Sequence, residues 1–153
     1  MFIVFFLLVS VLVFIDQLTK YIALNYLKSI STIPIIQNIF HLTFVENRGA
    51  AFGILQNKRW FFIIITFTIL LGIIYYYINL PKEKPYGFVR FSLILISSGA
   101  IGNLIDRIKL GYVIDFFDFR LINFPVFNIA DIYVVIGTIL LSSIIFFMPH
   151  KDL

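Results

Sequence analysis

The chain contains no cysteine, which excludes disulfides, thiol nucleophiles and thiolate metal sites. Histidine is nearly as scarce. His41 and His150 lie far apart with no HExxH-like spacing, so neither zinc nor any other metal cofactor is expected. Charge is short as well: Asp, Glu, Lys and Arg make up 13% of the 153 residues, against roughly 25% in soluble domains. The 12 basic residues are scattered rather than clustered, which argues against a nucleic-acid surface. Apolar residues, by contrast, reach 61%, with 19 Phe, 8 Tyr and a mean hydropathy of +1.01. A soluble core of this size could not hide so much apolar surface. An integral membrane protein is expected, its aromatic residues facing lipid or forming interfacial belts. The length suits one membrane domain over residues 1–153.

A spanning helix needs about 20 apolar residues. Four segments supply them, at 2–24, 60–80, 88–108 and 127–148. In lipid only helices and closed barrels satisfy the backbone, and these segments lack strand alternation. The expected fold is therefore an all-α bundle of four transmembrane helices. The first segment resembles the apolar part of a signal peptide. However, it has no basic n-region, and DQLTK stands where small residues should precede a cleavage site, so a retained helix is expected. The longest connection, 28–59, has partial period-two alternation at Phe40, Leu42 and Phe44, which predicts short strands in a small β-like region outside the bilayer. Asn47-Arg48-Gly49 reads as a turn, followed by the apolar stretch AAFGIL. The connection 109–124 carries two acids, Asp115 and Asp118.

Asp131 heads the apolar run of the fourth span, and Asp115 lies earlier in GYVIDFFDF. A carboxylate at the edge of a bilayer-length segment is costly and by default marks a functional site. Other polar groups recur at helical spacing. Asp16 and Lys20 share a face, as an ion pair or as a snorkelling pair at the membrane edge. Gly99, Asn103 and Arg107 repeat at i, i+4 beside Asp106, which fits a ligand-facing stripe or close helix packing with an interfacial Arg–Asp pair. Asn128 and Asp131 follow Pro125 with the spacing of a helix cap, and the helix dipole there favours an ionised Asp131. An acid brought close to Asp131 would share a proton with it, as in aspartic proteases. Spacing alone does not choose between Asp115 and Asp118 for that role. Buried acids could equally serve as relays in a proton-coupled transporter, although the internal symmetry common in transporters is missing. A structural membrane protein is the third reading.

DQLTK at 16–20, FVENRGAAFG at 44–53, GAIGNLIDR at 99–107, GYVIDFFDF at 111–119 and FPVFNIADIYVVIG at 124–137 form an ordered set. Together they resemble the motifs of the lipoprotein signal peptidase family (signal peptidase II), bacterial membrane aspartic endopeptidases that process prolipoproteins. The resemblance implies catalytic roles for Asp115 and Asp131 and leaves Asp118 outside the matched positions. It implies supporting or substrate-binding roles for Asp16, Lys20, Asn47, Gly99, Asn103, Asp106, Arg107 and Asn128, with Asp16 and Lys20 supporting the loop that carries Asn47. The implied substrate is a diacylglyceryl-modified prolipoprotein, cut before its lipid-bearing cysteine by a monomer embedded in membrane lipid. The implied location is the bacterial cytoplasmic (inner) membrane, with both termini cytoplasmic and the active site near the outer face. Charge counting points the other way. Lys20, Lys28, Arg48, Lys58, Arg59, Arg107, Lys109 and Arg120 fall on the site side, against Lys82, Lys84, Arg90 and Lys151 opposite.

Overall fold

The structure, a computed structural model, describes residues 2–49, 55–81, 83 and 85–147. Outside the described residues lie 50–54 of the apolar stretch, Lys82, Lys84, the end of the fourth expected span at Met148, His150 and Lys151.

Among the described residues, four helices are long and apolar enough to cross a membrane. Helix α1 (Phe2–Ile22) runs on through a π-helical segment, Ala23–Leu27, and one further turn, Lys28–Ile30. Helix α2 spans Arg59–Asn79, α3 spans Pro85–Lys109 and α4 spans Ile129–Phe147. Proline punctuates two of them. Leu80 stands before Pro81 in an extended conformation and stops α2, while Pro85 occupies the first turn of α3, where no amide donor is needed. The Arg90 guanidinium turns back to the carbonyls of Leu80 and Pro81, satisfying acceptors left over where α2 ends.

Helix α3 is central and packs against α1, α2 and α4. Most of its apolar window is buried, whereas the other three expose most of theirs, as helices facing lipid do. The cause is residue size. Side chains do not repel lipid, so helices associate where small residues let backbones approach. A Cβ at Gly99 would run into the Ala130 carbonyl and Val134 of α4, and one at Gly102 would strike the Asp16 carboxylate of α1. On α4, a Cβ at Gly137 would meet the Ser92 carbonyl at 2.9 Å and Ile96 at 2.8 Å. At the other end of the bundle Phe5, Val9, Tyr77, Val89, Leu93 and Ile94 fill the core.

A three-stranded antiparallel sheet, order β1-β2-β3, caps the end where α1 and α3 finish. Strands β1 (Thr32–Ile36) and β2 (Phe40–Asn47) come from the long connection, and β3 (Val113–Phe119) from the shorter one. The sequence reading treats 109–124 only as a connection, so β3 is an addition. Its Val, Ile and Phe residues favour a pleated, half-buried surface, and β2 supplies the partner they need. A bulge in β2 between Leu42 and Val45 sets the register. Leu42 pairs with Phe117 and Val45 with Asp115, two residues apart on β3 but three on β2. Without the extra residue, the side chains beyond it would point to the opposite face, because strand alternation has period two. Residue Phe127 then bridges to Phe117, docking the start of α4 against β3.

The α3–α4 contact gives a direct stability test. Gly137→Val should lower the thermal midpoint in detergent, overpacking costing about 1–3 kcal/mol. Gly72→Ala, where a Cβ meets nothing within 4 Å, should be neutral or mildly stabilising. Equal midpoints for the two variants would show that α3 and α4 are not pressed together at this glycine.

Candidate active site

The polar residues of the spans converge under the sheet. Lys20 of α1 is 1% exposed, and its ammonium contacts the carboxylates of Asp16 at 3.0 Å and Asp106 at 2.9 Å. It also donates to Asn103 Oδ1 at 2.9 Å. An ammonium has three protons and no acceptor capacity, so this set satisfies it. Each of the two acids has a second task. Asp16 Oδ1 accepts the backbone N–H of Ala130 at 3.0 Å, holding the first turn of α4. Asp106 Oδ2 accepts the N–H of Ile114 at 3.3 Å, tying α3 to β3. Gln17, which the motif reading passes over, donates to Asp106 at 2.9 Å and lies within 3.3 Å of the Gly102 carbonyl. Its signal in the sequence is a second polar residue beside Asp16 at membrane depth.

Two asparagines carry this order toward Asp115 and Asp131. Lys20 claims Asn103 Oδ1, which leaves Asn103 Nδ2 to donate to Asp131 Oδ1 at 2.8 Å. Asn128 caps α4: its Oδ1 accepts the Asp131 N–H at 3.0 Å, while Asp131 Oδ2 accepts the Asn128 N–H at 3.2 Å. That reciprocal pair is a capping box. It turns Asn128 Nδ2 toward Asp115 Oδ1, at 2.6 Å, and toward Asn103 Oδ1, at 3.2 Å. Asp115 receives a second donor, Asn47 Nδ2, at 2.9 Å from across the sheet. The two acids thus sit on β3 and α4, joined through one side chain, Asn128.

Their environments differ. Asp115 is 2% exposed, whereas Asp131 is only partly buried at the helix start. Burial above all, and then the charge of Asp131, push the Asp115 carboxyl up to about 7, against the opposing hydrogen bonds of Asn47 and Asn128. Both acids line a cleft of about 770 Å³ together with Asn47, Asn103, Arg107 and Gly49. Apart from Glu46 and Gln56, its remaining wall is apolar and includes Phe124, Phe127, Val135 and Ile136. Polar groups gathered at one end of an apolar cleft suit a ligand with a reactive amide and a greasy body.

Asp118 is elsewhere. It pairs across the sheet with His41 and accepts from Thr43 at 2.6 Å and Arg120 at 2.9 Å. Burial works to raise its pKa, but the Thr43 and Arg120 hydrogen bonds outweigh this and hold it low. Two details depart from the sequence reading. Asp16 and Lys20 bond to α3 and α4 rather than to the segment carrying Asn47, because they sit within the bundle while Asn47 ends a strand above it. Arg107 does not pair with Asp106, which Lys20 has taken. Its guanidinium instead reaches the Gly49 carbonyl at 3.2 Å and lies over the Phe62 ring. Among the described residues no three His, Asp or Glu side chains are grouped to hold a metal ion.

The family profile described as Signal peptidase (SPase) II matches residues 8–147. The lipoprotein signal peptidase of Clostridioides difficile (strain 630) is 52% identical over 150 residues, covering 97% of this chain and 98% of its own. That of Caldanaerobacter subterraneus subsp. tengcongensis is 52% identical over 141 residues, covering 92% of this chain and 94% of its own. Among solved structures, a bacterial membrane enzyme determined by the in meso method at 1.9 Å resolution superposes with a TM-score of 0.83 at 36% identity. The match covers 95% of this chain and 94% of that one. With the family profile running through nearly all of its length, the chain belongs to the signal peptidase II family of aspartic peptidases, as a multi-pass bacterial membrane protein.

Proposed function

We propose that Asp115 and Asp131 are the catalytic pair with which this chain removes signal peptides from diacylglyceryl-modified prolipoproteins, cutting before the lipid-bearing cysteine. The observation that carries the reading is the placement of two carboxylates from different elements in one cleft, linked through Asn128. The charge of Asp131 works against ionisation of Asp115, so the pair shares a proton. Desolvation favours keeping that proton on Asp115. Asp131 takes a proton from the attacking water as Asp115 protonates the scissile carbonyl oxygen, and the roles reverse when the amine leaves. Asn103 and Asn128 hold the acids in place, and Arg107 and Asn47 border the peptide. The apolar wall takes the acyl chains or the signal helix, and the bilayer anchors the lipidated cysteine at the depth of the acids. All of these groups come from one chain, so a monomer suffices.

In detergent, the purified protein should cut diacylglyceryl-modified prolipoprotein and leave the unmodified form nearly untouched. Asp115→Asn and Asp131→Asn should each abolish cleavage, with the double variant little worse, because the two act as a unit. Asp118→Asn should stay active. A dead Asp118→Asn alongside an active Asp115→Asn would reverse the assignment.

Cleavage should fall as pH rises through about 7, where Asp115 loses its proton. The same shift bears on stability. The folded-state pKa lies above the ordinary carboxyl value of 3.8, so the native state binds this proton more tightly than the unfolded chain does. The contribution is complete below 3.8 and is lost as pH climbs through about 7. Asp115→Asn, which carries no charge to desolvate, should therefore raise the thermal midpoint more at pH 8 than at pH 5. A gain independent of pH would contradict the buried, protonated carboxyl.

The proposed orientation puts both termini in the cytoplasm and the sheet outside. Single cysteines can be introduced at Lys58 and Glu83 of this cysteine-free chain. In intact cells or spheroplasts treated with an impermeant maleimide, Lys58→Cys should label and Glu83→Cys should not. The opposite pattern would invert the topology.

A further inference from the structure

The charge imbalance in the sequence is not used up by the catalytic cleft. At the sheet end, Lys20 is consumed by Asp16 and Asp106, Arg107 borders the cleft, and Arg120 is paired with Asp118. Lys28 and Arg48 share one acid, Glu46, at 3.3 and 2.9 Å. Lys58, Arg59 and Lys109 have no ion pair among the described residues. These three are gathered in one place. Arg59 Nη2 donates to the Ile108 carbonyl at 2.7 Å, bringing the start of α2 against the last turn of α3. Lys58 precedes Arg59 and Lys109 follows Ile108, and both lysines are exposed. The Arg59 Nε–H is buried and has no hydrogen-bond partner. The first turn of α2 holds no acid, so Lys58 and Arg59 lie at the positive end of the helix dipole, where cations are unfavourable. Trp60, beside them, is 69% exposed at the end of a span-capable helix.

We infer that Lys58, Arg59 and Lys109 bind the headgroup of an anionic phospholipid, with Trp60 lying along its glycerol and upper acyl chain. A phosphate placed there meets three unpaired cations and the otherwise unfavourable helix start at once. A soluble anion would satisfy the charge but not the exposed indole or the adjoining lipid-facing surface of α2, where Phe61 and Ile64 are also exposed. The lipid thereby fixes the height of this end of the bundle, and with it the cleft, relative to the headgroups. The site goes beyond the proteolytic reading and depends neither on it nor on which leaflet the sheet faces.

Trp60 is the single tryptophan of the chain, so its fluorescence reports on this site alone. The protein is reconstituted into mixed phosphatidylcholine and phosphatidylglycerol vesicles, with brominated acyl chains on one lipid or the other at equal mole fraction. Brominated phosphatidylglycerol should quench Trp60 more strongly than brominated phosphatidylcholine. Each basic residue at an anionic surface is worth about a fivefold preference at low salt. Lys58→Gln with Lys109→Gln should therefore cut the preference by roughly 25-fold. Lys58→Arg with Lys109→Arg should retain it, and high salt should weaken it in the unaltered protein. Equal quenching by the two lipids, or a preference unchanged in the glutamine variant, would overturn the inference, whatever the proteolytic activity.

Discussion

The Lys20 ammonium is the contact on which the rest of this structure depends. A charge buried in a membrane protein is tolerated only when paired and fully hydrogen-bonded. Here that requirement draws three acceptors to one point from two helices. Because Asp16 also holds Ala130 and Asp106 also holds Ile114, the same charge reaches all the elements that frame the cleft except β2. Removing one partner of such a cluster would strand another buried charge, which typically costs 3–5 kcal/mol. The cluster adds little attraction beyond what desolvation takes away. What it does is tie α1, α3, α4 and β3 to one point.

That arrangement settles which way two amides face. An asparagine side chain is nearly symmetric in shape and polar at both ends, so its direction must come from its neighbours. Lys20 takes the oxygen of Asn103, and the Asp131 N–H takes the oxygen of Asn128. Both NH₂ groups are then aimed at acids, one at Asp131 and one at Asp115. Donors held rigidly in a water-poor site cost no reorganisation during a reaction. The ion cluster thus acts at one remove, without touching the cleft acids itself.

The division between lipid-facing and inward-facing surface follows from the same economy of polar groups. Helices α1, α2 and α4 can expose Phe, Ile and Leu because hydrocarbon is a good solvent for them. Helix α3 cannot serve as a lipid face, since Ser92, Ser97, Ser98, Gly99, Gly102 and Asn103 would leave polar atoms or backbone against the acyl chains. It is largely enclosed instead, with Phe88 and Phe91 left outward, and its glycines set how near α1 and α4 can come. The sheet is placed at the one end of the bundle where strands can form, beyond the helix ends, and β3 lifts Asp115 to meet Asp131 at the head of α4.

Much of this was legible in the chain itself. Four apolar stretches of bilayer length have only one backbone solution, so a four-helix fold followed from the lack of charge. The capping spacing of Asn128 and Asp131, and the shared face of Asp16 and Lys20, are local relations that helical periodicity is able to report. Other features were decided by contacts between segments distant in sequence. Nothing local distinguishes Asp115 from Asp118, for they differ in which face of β3 they occupy, and a bulge in another strand aligns Asn47 with that face. Lys20 rather than Arg107 became the partner of Asp106, and Gln17 joined them, only because α1 and α3 pack within reach at Gly102. Periodicity determines which side of an element a residue occupies. Tertiary packing determines what stands opposite it, and in a medium without water to fill unmet hydrogen bonds, that opposite partner decides the chemistry.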